Sequence, residues 1–254
     1  MLNLNNPGTL QDKERIDREA WLKHARSNTI DQGDFLDHKI NKLSAAKKFL
    51  DKVNKYKEIF SSSTSIIELG GGSCWASYIV KKLFPEAKVV GTDIAEAAID
   101  SHKLWEPVIN CKLDDVCSCT SYDIPFPDAS FDLVFCFESA HHFGKHKRTL
   151  EEIKRILKPN GYALYLCEPG CRNYIYPLAH KRVNNKRGQV AEDVLVYRNI
   201  VSLAESAGLE SQVIFAPSLI DRGPKETLYY YVMNVFPLLQ QFLPCTVDFK
   251  FRKP

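Results

Sequence analysis

The stretch Ser65-Ile66-Ile67-Glu68-Leu69-Gly70-Gly71-Gly72-Ser73 runs from consecutive apolar residues into three glycines. The segment after it, WASYIVKKLF (75–84), places Trp75, Ile79, Val80, Leu83 and Phe84 on one helical face before Pro85. Apolar residues at successive positions suit a strand buried on both faces, as in a parallel sheet. Glycine at the turn lets backbone approach a ligand closely. Strand, glycine turn and helix, in that order, open a doubly wound α/β sheet, whose ligands bind beyond the carboxyl ends of its strands.

Downstream the alternation continues. KVVGTD (88–93), PVINCK (107–112), FDLVFCF (131–137) and YALYLCE (162–168) read as further strands bounded by turn residues. TLEEIKRILKPNG (149–161) puts Leu150, Ile153 and Leu157 on one helical face and stops at Pro159 and Gly161. Beyond Glu168, AEDVLVYRNIVSLAESAGL (191–209) reads as a helix and SQVIFAP (211–217) as a strand. KETLYYYVMNVFPLLQQFLP (225–244) reads as a helical insertion, and CTVDFKFRK (245–253) alternates like an edge strand. Upstream, residues 10–60 are polar and lysine-rich, with Leu36, Ile40, Leu43, Leu50, Val53 and Tyr56 at helical spacing. The expected class is α/β, with a doubly wound Rossmann-like sheet, N-terminal helices and a C-terminal helical insertion.

Composition is compatible with this and excludes several partners. In 254 residues, 44% are apolar and 26% charged, the ordinary globular balance. Thirty-four basic against 31 acidic side chains leave +3, too little to make nucleic acid an expected partner. The N-terminus shows no apolar stretch behind basic residues, so a cytoplasmic location is expected. The apolar stretch from Leu228 to Leu243 is interrupted by Asn234 and Pro237, which argues against a transmembrane span. The eight cysteines have no C-x-x-C pairing, and the closest, Cys111, Cys117 and Cys119, lack the usual structural zinc spacing. Free thiols and no metal are expected.

Asp93 ends the second strand 23 residues after Gly70 and offers two acceptor oxygens to the hydroxyls of a ribose. An acid at this spacing serves dinucleotide and S-adenosylmethionine sites alike. A dinucleotide loop wants a third glycine at position 75, where Trp75 stands, which disfavours a pyrophosphate.

These features, with IPFPDASFDLVFCFESAHHF (124–143) and EEIKRILKPNGYALYLCEP (151–169), resemble the class I S-adenosylmethionine-dependent methyltransferases over about 65–168. The run P-F-P-D-x-S-F-D-x-V, then H-H, then R-I-L-K-P-N-G, resembles the small-molecule branch, which acts on sugars and natural products. The resemblance implies a seven-stranded sheet and S-adenosylmethionine as cofactor. It implies that Glu68, Gly70, Gly71 and Gly72 line the methionine portion, Asp93 holds the ribose and Ile94 packs on adenine. Asp114 or Asp115, with Val116, would lie near the adenine amine, and backbone near Phe137 and Glu138 would complete the pocket. The family's glycine two positions beyond Gly72 is Cys74 here.

The same resemblance implies methyl transfer to a small-molecule acceptor, O- or N-directed, of glycosyl, lipid-linked or natural-product type. Methylation of protein or nucleic acid is the alternative, disfavoured because ESAH stands where an N/D-P-P-Y/F tetrad would be. A non-catalytic cofactor-binding regulator is the other. Positioning carries much of methyl transfer. Where a base is needed, His141 and His142 follow the fourth strand, with Glu138 placed to orient His141 and packing as the other role for His142. Arg182, Lys186 and Arg187 are candidates to clamp an anion. Trp21 and His24 are candidates for a lid or for core packing. The expected organisation is a helical lid over 1–60 and a methyltransferase domain over 61–254, with 171–190 and 220–244 as acceptor-site or interface insertions; the latter would serve the cavity or a homodimer.

Overall fold

The computed structural model describes residues 15, 18, 19, 32–185, 193–220 and 222–254. Trp21, His24, Lys186 and Arg187 lie outside the described residues. Eight strands form one sheet: β1 (Ser65–Glu68), β2 (Lys88–Asp93), β3 (Asp115–Ser118), β4 (Phe131–Phe137), β5 (Leu157–Cys171), β6 (Leu195–Val196), β7 (Glu210–Phe215) and β8 (Cys245–Arg252). The order is β3-β2-β1-β4-β5-β8-β7, with the short β6 pairing with β5 beside that seven-strand path. β1 runs parallel to β2 and β4, and β4 to β5, whereas β8 is antiparallel to both β5 and β7. Strands are added on one side of β1 as far as β3 and on its other side from β4 onward, so the strand order reverses between β1 and β4, which puts a topological switch point beside the glycine turn.

Alternation along the strands divides the core between two faces. Ile66, Leu133, Phe135 and Leu164 pack with α1 (Gln32–Lys55) and α2 (Trp75–Leu83), and Phe49 of α1 lies 5.8 Å from Phe135 and 5.6 Å from Trp75. Ile67, Val134, Cys136 and Tyr165 face the other way, onto α3 (His146–Ile156) and α5 (Tyr197–Ser206). α4 (Tyr176–Asn184) and α6 (Pro224–Val235) lie outside the sheet's end.

α1 is also anchored electrostatically. Asp248 of β8, fully buried, takes Lys52 Nζ at 2.8 Å, Lys55 Nζ at 2.9 Å and the Tyr56 hydroxyl at 2.9 Å. It also accepts the backbone N–H of Cys167 at 3.1 Å, where the β5–β8 register shifts and Cys167 is left-handed (φ 62°). Burial disfavours its charge, but Lys52 and Lys55 outweigh burial and hold the carboxyl below its ordinary value.

Four sequence expectations change. The segment 191–209, expected as one helix, forms β6 at Leu195–Val196 and a helix only over Tyr197–Ser206. PVINCK is not a strand: Glu106–Ile109 is a helical turn with Pro107 at its start, Asn110 is left-handed, and β3 begins only at Asp115. Proline is favoured at the first helical position, and that outweighs the apolar run. The helix read as stopping at Pro159 and Gly161 ends at Ile156, with Leu157 already extended and paired to Phe131. CTVDFKFRK is not an edge strand, because β8 lies between β5 and β7 and is buried from Cys245 to Phe249.

Candidate active site

The carboxyl ends of the strands open onto a cavity of about 600 Å³. Its floor is the glycine turn. Gly70 and Gly72 are left-handed (φ 67° and 58°), and a Cβ on Gly71 would stand 2.7 Å from the Glu68 carboxyl, so a side chain there would displace Glu68. Glu68 Oε2 accepts from Ser77 N at 3.0 Å and Ser77 Oγ at 2.5 Å, tying the turn to the start of α2. Burial pushes the Glu68 carboxyl up to about 7, against the Ser77 hydrogen bonds.

Asp93 closes the turn from the neighbouring strand. Its Oδ2 accepts Gly72 N–H at 2.8 Å and its Oδ1 accepts Ala95 N–H at 2.9 Å. Burial raises its pKa, while those amides and Lys42 oppose the shift. Cys74 stands in the left-handed region (φ 57°), a conformation that glycine adopts without penalty. A Cβ on Gly91 would lie only 2.5 Å from Cys74 Sγ, so the absence of a side chain at Gly91 makes room for the thiol.

Glu68, Gly70, Gly71, Gly72, Asp93, Ile94 and Phe137 all line the cavity. Asp114, Asp115 and Val116 do not. Because β3 starts at Asp115, the two carboxylates lie at the wrong end of the strand: Asp114 accepts Val89 N–H at 2.8 Å and pairs with Lys81 at 2.9 Å. The cavity wall beyond β3 is Cys119 to Tyr122 instead.

Past β4, Glu138 is left-handed (φ 51°) and the chain makes a tight turn through Ala140–His142. Glu168, fully buried at the carboxyl end of β5, accepts the backbone N–H groups of Ser139, Ala140 and His141 at 3.0, 2.9 and 3.1 Å. His141 Nδ1 lies 2.8 Å from Glu168 Oε2. The expected partnership of Glu138 with His141 is not the one formed, since Glu138 pairs with Lys48 of α1 at 2.5 Å. His141 and His142 both line the cavity, with ring centroids 4.2 Å apart.

Sequence reasoning missed Glu168, although an acid ending the strand beside β4 was a usable signal. It also missed Lys42, which reaches the cavity from α1; burial lowers its pKa, and Glu138, Glu68 and Asp93 oppose that. No motif marks Lys42.

The outer wall comes from α4 and α6. Arg182 lies over the Tyr229 ring (5.3 Å) and Arg222 over Tyr230 (4.2 Å), with Glu226 within 4.0 Å of Arg182 and 3.8 Å of Arg222. Arg222 also donates to Thr246 Oγ1 at 2.9 Å.

Residues 67–165 match the family described as "Methyltransferase domain". Phthiotriol/phenolphthiotriol dimycocerosates methyltransferase 1 of Mycobacterium ulcerans is 38% identical over 96 residues, 38% of this chain and 33% of that protein. Fatty-acid O-methyltransferase of Mycolicibacterium smegmatis is 26% identical over 124 residues, 45% of this chain and 44% of that protein. Among solved structures, geranyl diphosphate C-methyltransferase from Streptomyces coelicolor A3(2), in complex with Mg2+, geranyl diphosphate and S-adenosyl-L-homocysteine, superposes with TM-score 0.59 at 15% identity. That match covers 75% of this chain and 73% of the other. The matched region is thus less than half the length of each of the two curated relatives.

Proposed function

We propose that this chain, whose residues 67–165 match a methyltransferase domain, transfers methyl from S-adenosylmethionine to a hydroxyl of a small acceptor held in the outer half of the cavity. The observation that carries this reading is the His141–Glu168 contact at the cavity wall.

The residues present fit the cofactor. The glycine turn lines the cavity with bare backbone, a Cβ at Gly71 would press on the Glu68 carboxyl, and Trp75, where a pyrophosphate loop would need glycine, lines the wall. Glu68 and Lys42 offer hydrogen-bonding groups to an amino-acid moiety, and Asp93 retains lone pairs for ribose hydroxyls beyond those used by Gly72 and Ala95. When bound, the cofactor supplies an electrophilic methyl group on a sulfonium.

What the chain adds is position and a proton acceptor. With Nδ1 committed to Glu168, the Nε2 of His141 takes the acceptor's hydroxyl proton, and the buried carboxylate stabilises the resulting imidazolium. Trp75 and Phe137 present apolar surface that excludes water, and Tyr229 and Tyr230 shape the acceptor end. A lipid acceptor is the favoured class because the curated relatives are named for methylation of phthiotriol dimycocerosates and of fatty acids.

The test is transfer of labelled methyl from S-adenosylmethionine to a panel of hydroxylated lipids, fatty acids, sugars and amines. Transfer to oxygen acceptors that His141→Ala abolishes supports the reading. Transfer to amines alone, indifferent to His141, overturns it.

A further inference from the structure

The lobe that walls the cavity has a second face. Along α6, Leu228, Tyr231, Val232 and Val235 recur at the i, i+3, i+4, i+7 spacing of a single helical stripe, yet they are 66%, 56%, 36% and 50% exposed. A stripe at that spacing ordinarily faces a core. Here Met233 on the other side is buried while Tyr229 and Tyr230 line the cavity. Phe236, Leu238 (72% exposed) and Phe242 extend the apolar surface beyond the helix. Tyr174 and Leu178 join it from the α4 side, where the Tyr174 hydroxyl donates to Phe242 O at 2.5 Å and Arg172 lies 5.5 Å from the Phe242 ring. Contiguous exposed apolar surface of this kind marks an interaction site.

Charge selects the occupant. Arg182 and Arg222 belong to the cavity wall, where both lie within 4.0 Å of Glu226; Arg172, Lys181 and Lys225 are the remaining charged residues of the described stretches 172–184 and 222–244, and all three are cations. A second copy of the chain docking through a two-fold axis would set this surface against itself and bring like charges together. An anionic lipid surface offers the opposite sign along with an apolar interior. Among the described residues no helix is long and apolar enough to cross a membrane, so the lobe would lie on a bilayer and not span it.

We propose that the exposed face of α6 and the 236–242 turn docks on an anionic lipid bilayer, with Arg172, Lys181 and Lys225 at the headgroups. The same helix then has one face in the lipid interface and the other in the wall of the cavity. The proposal goes beyond the methyl-transfer reading and stands or falls separately from it, because it is read by binding alone.

The experiment is cosedimentation of the full chain with vesicles of phosphatidylcholine, pure or mixed equally with phosphatidylglycerol. The chain is expected to sediment with the mixed vesicles, weakly with the neutral ones, and less as salt is raised. Lys225→Gln should weaken partitioning about fivefold, the worth of one cation near such a surface. Leu228→Asp combined with Leu238→Asp should weaken it about tenfold or more; both side chains are exposed, and an unchanged thermal melt confirms the fold. Lack of sedimentation with mixed vesicles, equal sedimentation with neutral ones, or indifference to these substitutions overturns the proposal. So does a concentration-dependent dimer that the double substitution abolishes without any vesicle binding, since a second copy would then cover the face.

Discussion

His141 Nδ1 lies 2.8 Å from Oε2 of Glu168, and the same carboxyl group accepts the backbone N–H groups of Ser139, Ala140 and His141 itself. One buried acid on β5 thus fixes both the ring and the turn that carries it. His141→Ala is expected to lower turnover by about a hundredfold to ten-thousandfold, the usual range for loss of a general base, with donor affinity unchanged. Glu168→Gln keeps an acceptor oxygen for the turn but loses the charge that steadies an imidazolium, so turnover should fall while the fold persists. His142→Ala should cost less than either. Single-turnover rates with donor binding as control check all three.

Asp93 holds the glycine turn from β2 through Gly72 N–H while lining the cavity. Asp93→Ala removes hydrogen bonds to a charged group, worth about 1.5–3 kcal/mol each, so donor affinity should fall by about tenfold or more. Asp93→Asn should fall between this variant and the wild type. Titration calorimetry measures both.

Glu68 carries a pH signature. Burial raises its folded value from 4.5 to about 7, so the folded chain keeps this proton after the unfolded chain has lost it. Stability therefore falls as pH rises from about 4.5 toward about 7 and levels off above that window. Asp93, also raised by burial, adds a decline in the same direction. Glu68→Gln should remove its share of the slope, read from denaturant midpoints across the window.

Asp248→Ala leaves Lys52, mostly buried, without its carboxylate, and Lys55 and Tyr56 lose the same partner. Removing one partner of a buried pair costs about 3–5 kcal/mol. Because α1 also brings Lys42 to the cavity and Lys48 to Glu138 of its lining, donor affinity should fall with stability. Urea denaturation and calorimetry on the same variant check the coupling.

The parallel half of the sheet was legible because β1, β2, β4 and β5 are apolar at consecutive positions, and β1 and β2 each end in a recognisable acid, Glu68 and Asp93. β3 was not, since Asp115–Ser118 is a short, half-exposed edge with no apolar run, whereas Val108 and Ile109 gave a stronger false signal just upstream. That displacement moved the expected adenine contact to Asp114 and Asp115, at the amino end of the strand. The position of β8 was hidden for a different reason: its burial comes from β5 and β7 on either side and from the α1 lysines that neutralise Asp248, none of which is local in sequence. The cavity-lining glycines, Asp93 and His141 were readable from local pattern. The pairing of His141 with Glu168 was not, because it joins residues 27 apart across adjacent strands.

The central claim is that the glycine turn and Asp93 form an S-adenosylmethionine site. Calorimetric titration of the wild-type chain and of Asp93→Ala with S-adenosylhomocysteine, and of the wild type with NAD, tests it most directly. The account predicts one-site binding of S-adenosylhomocysteine, weakened in Asp93→Ala, and no heat from NAD. Binding of NAD with none of S-adenosylhomocysteine would contradict it.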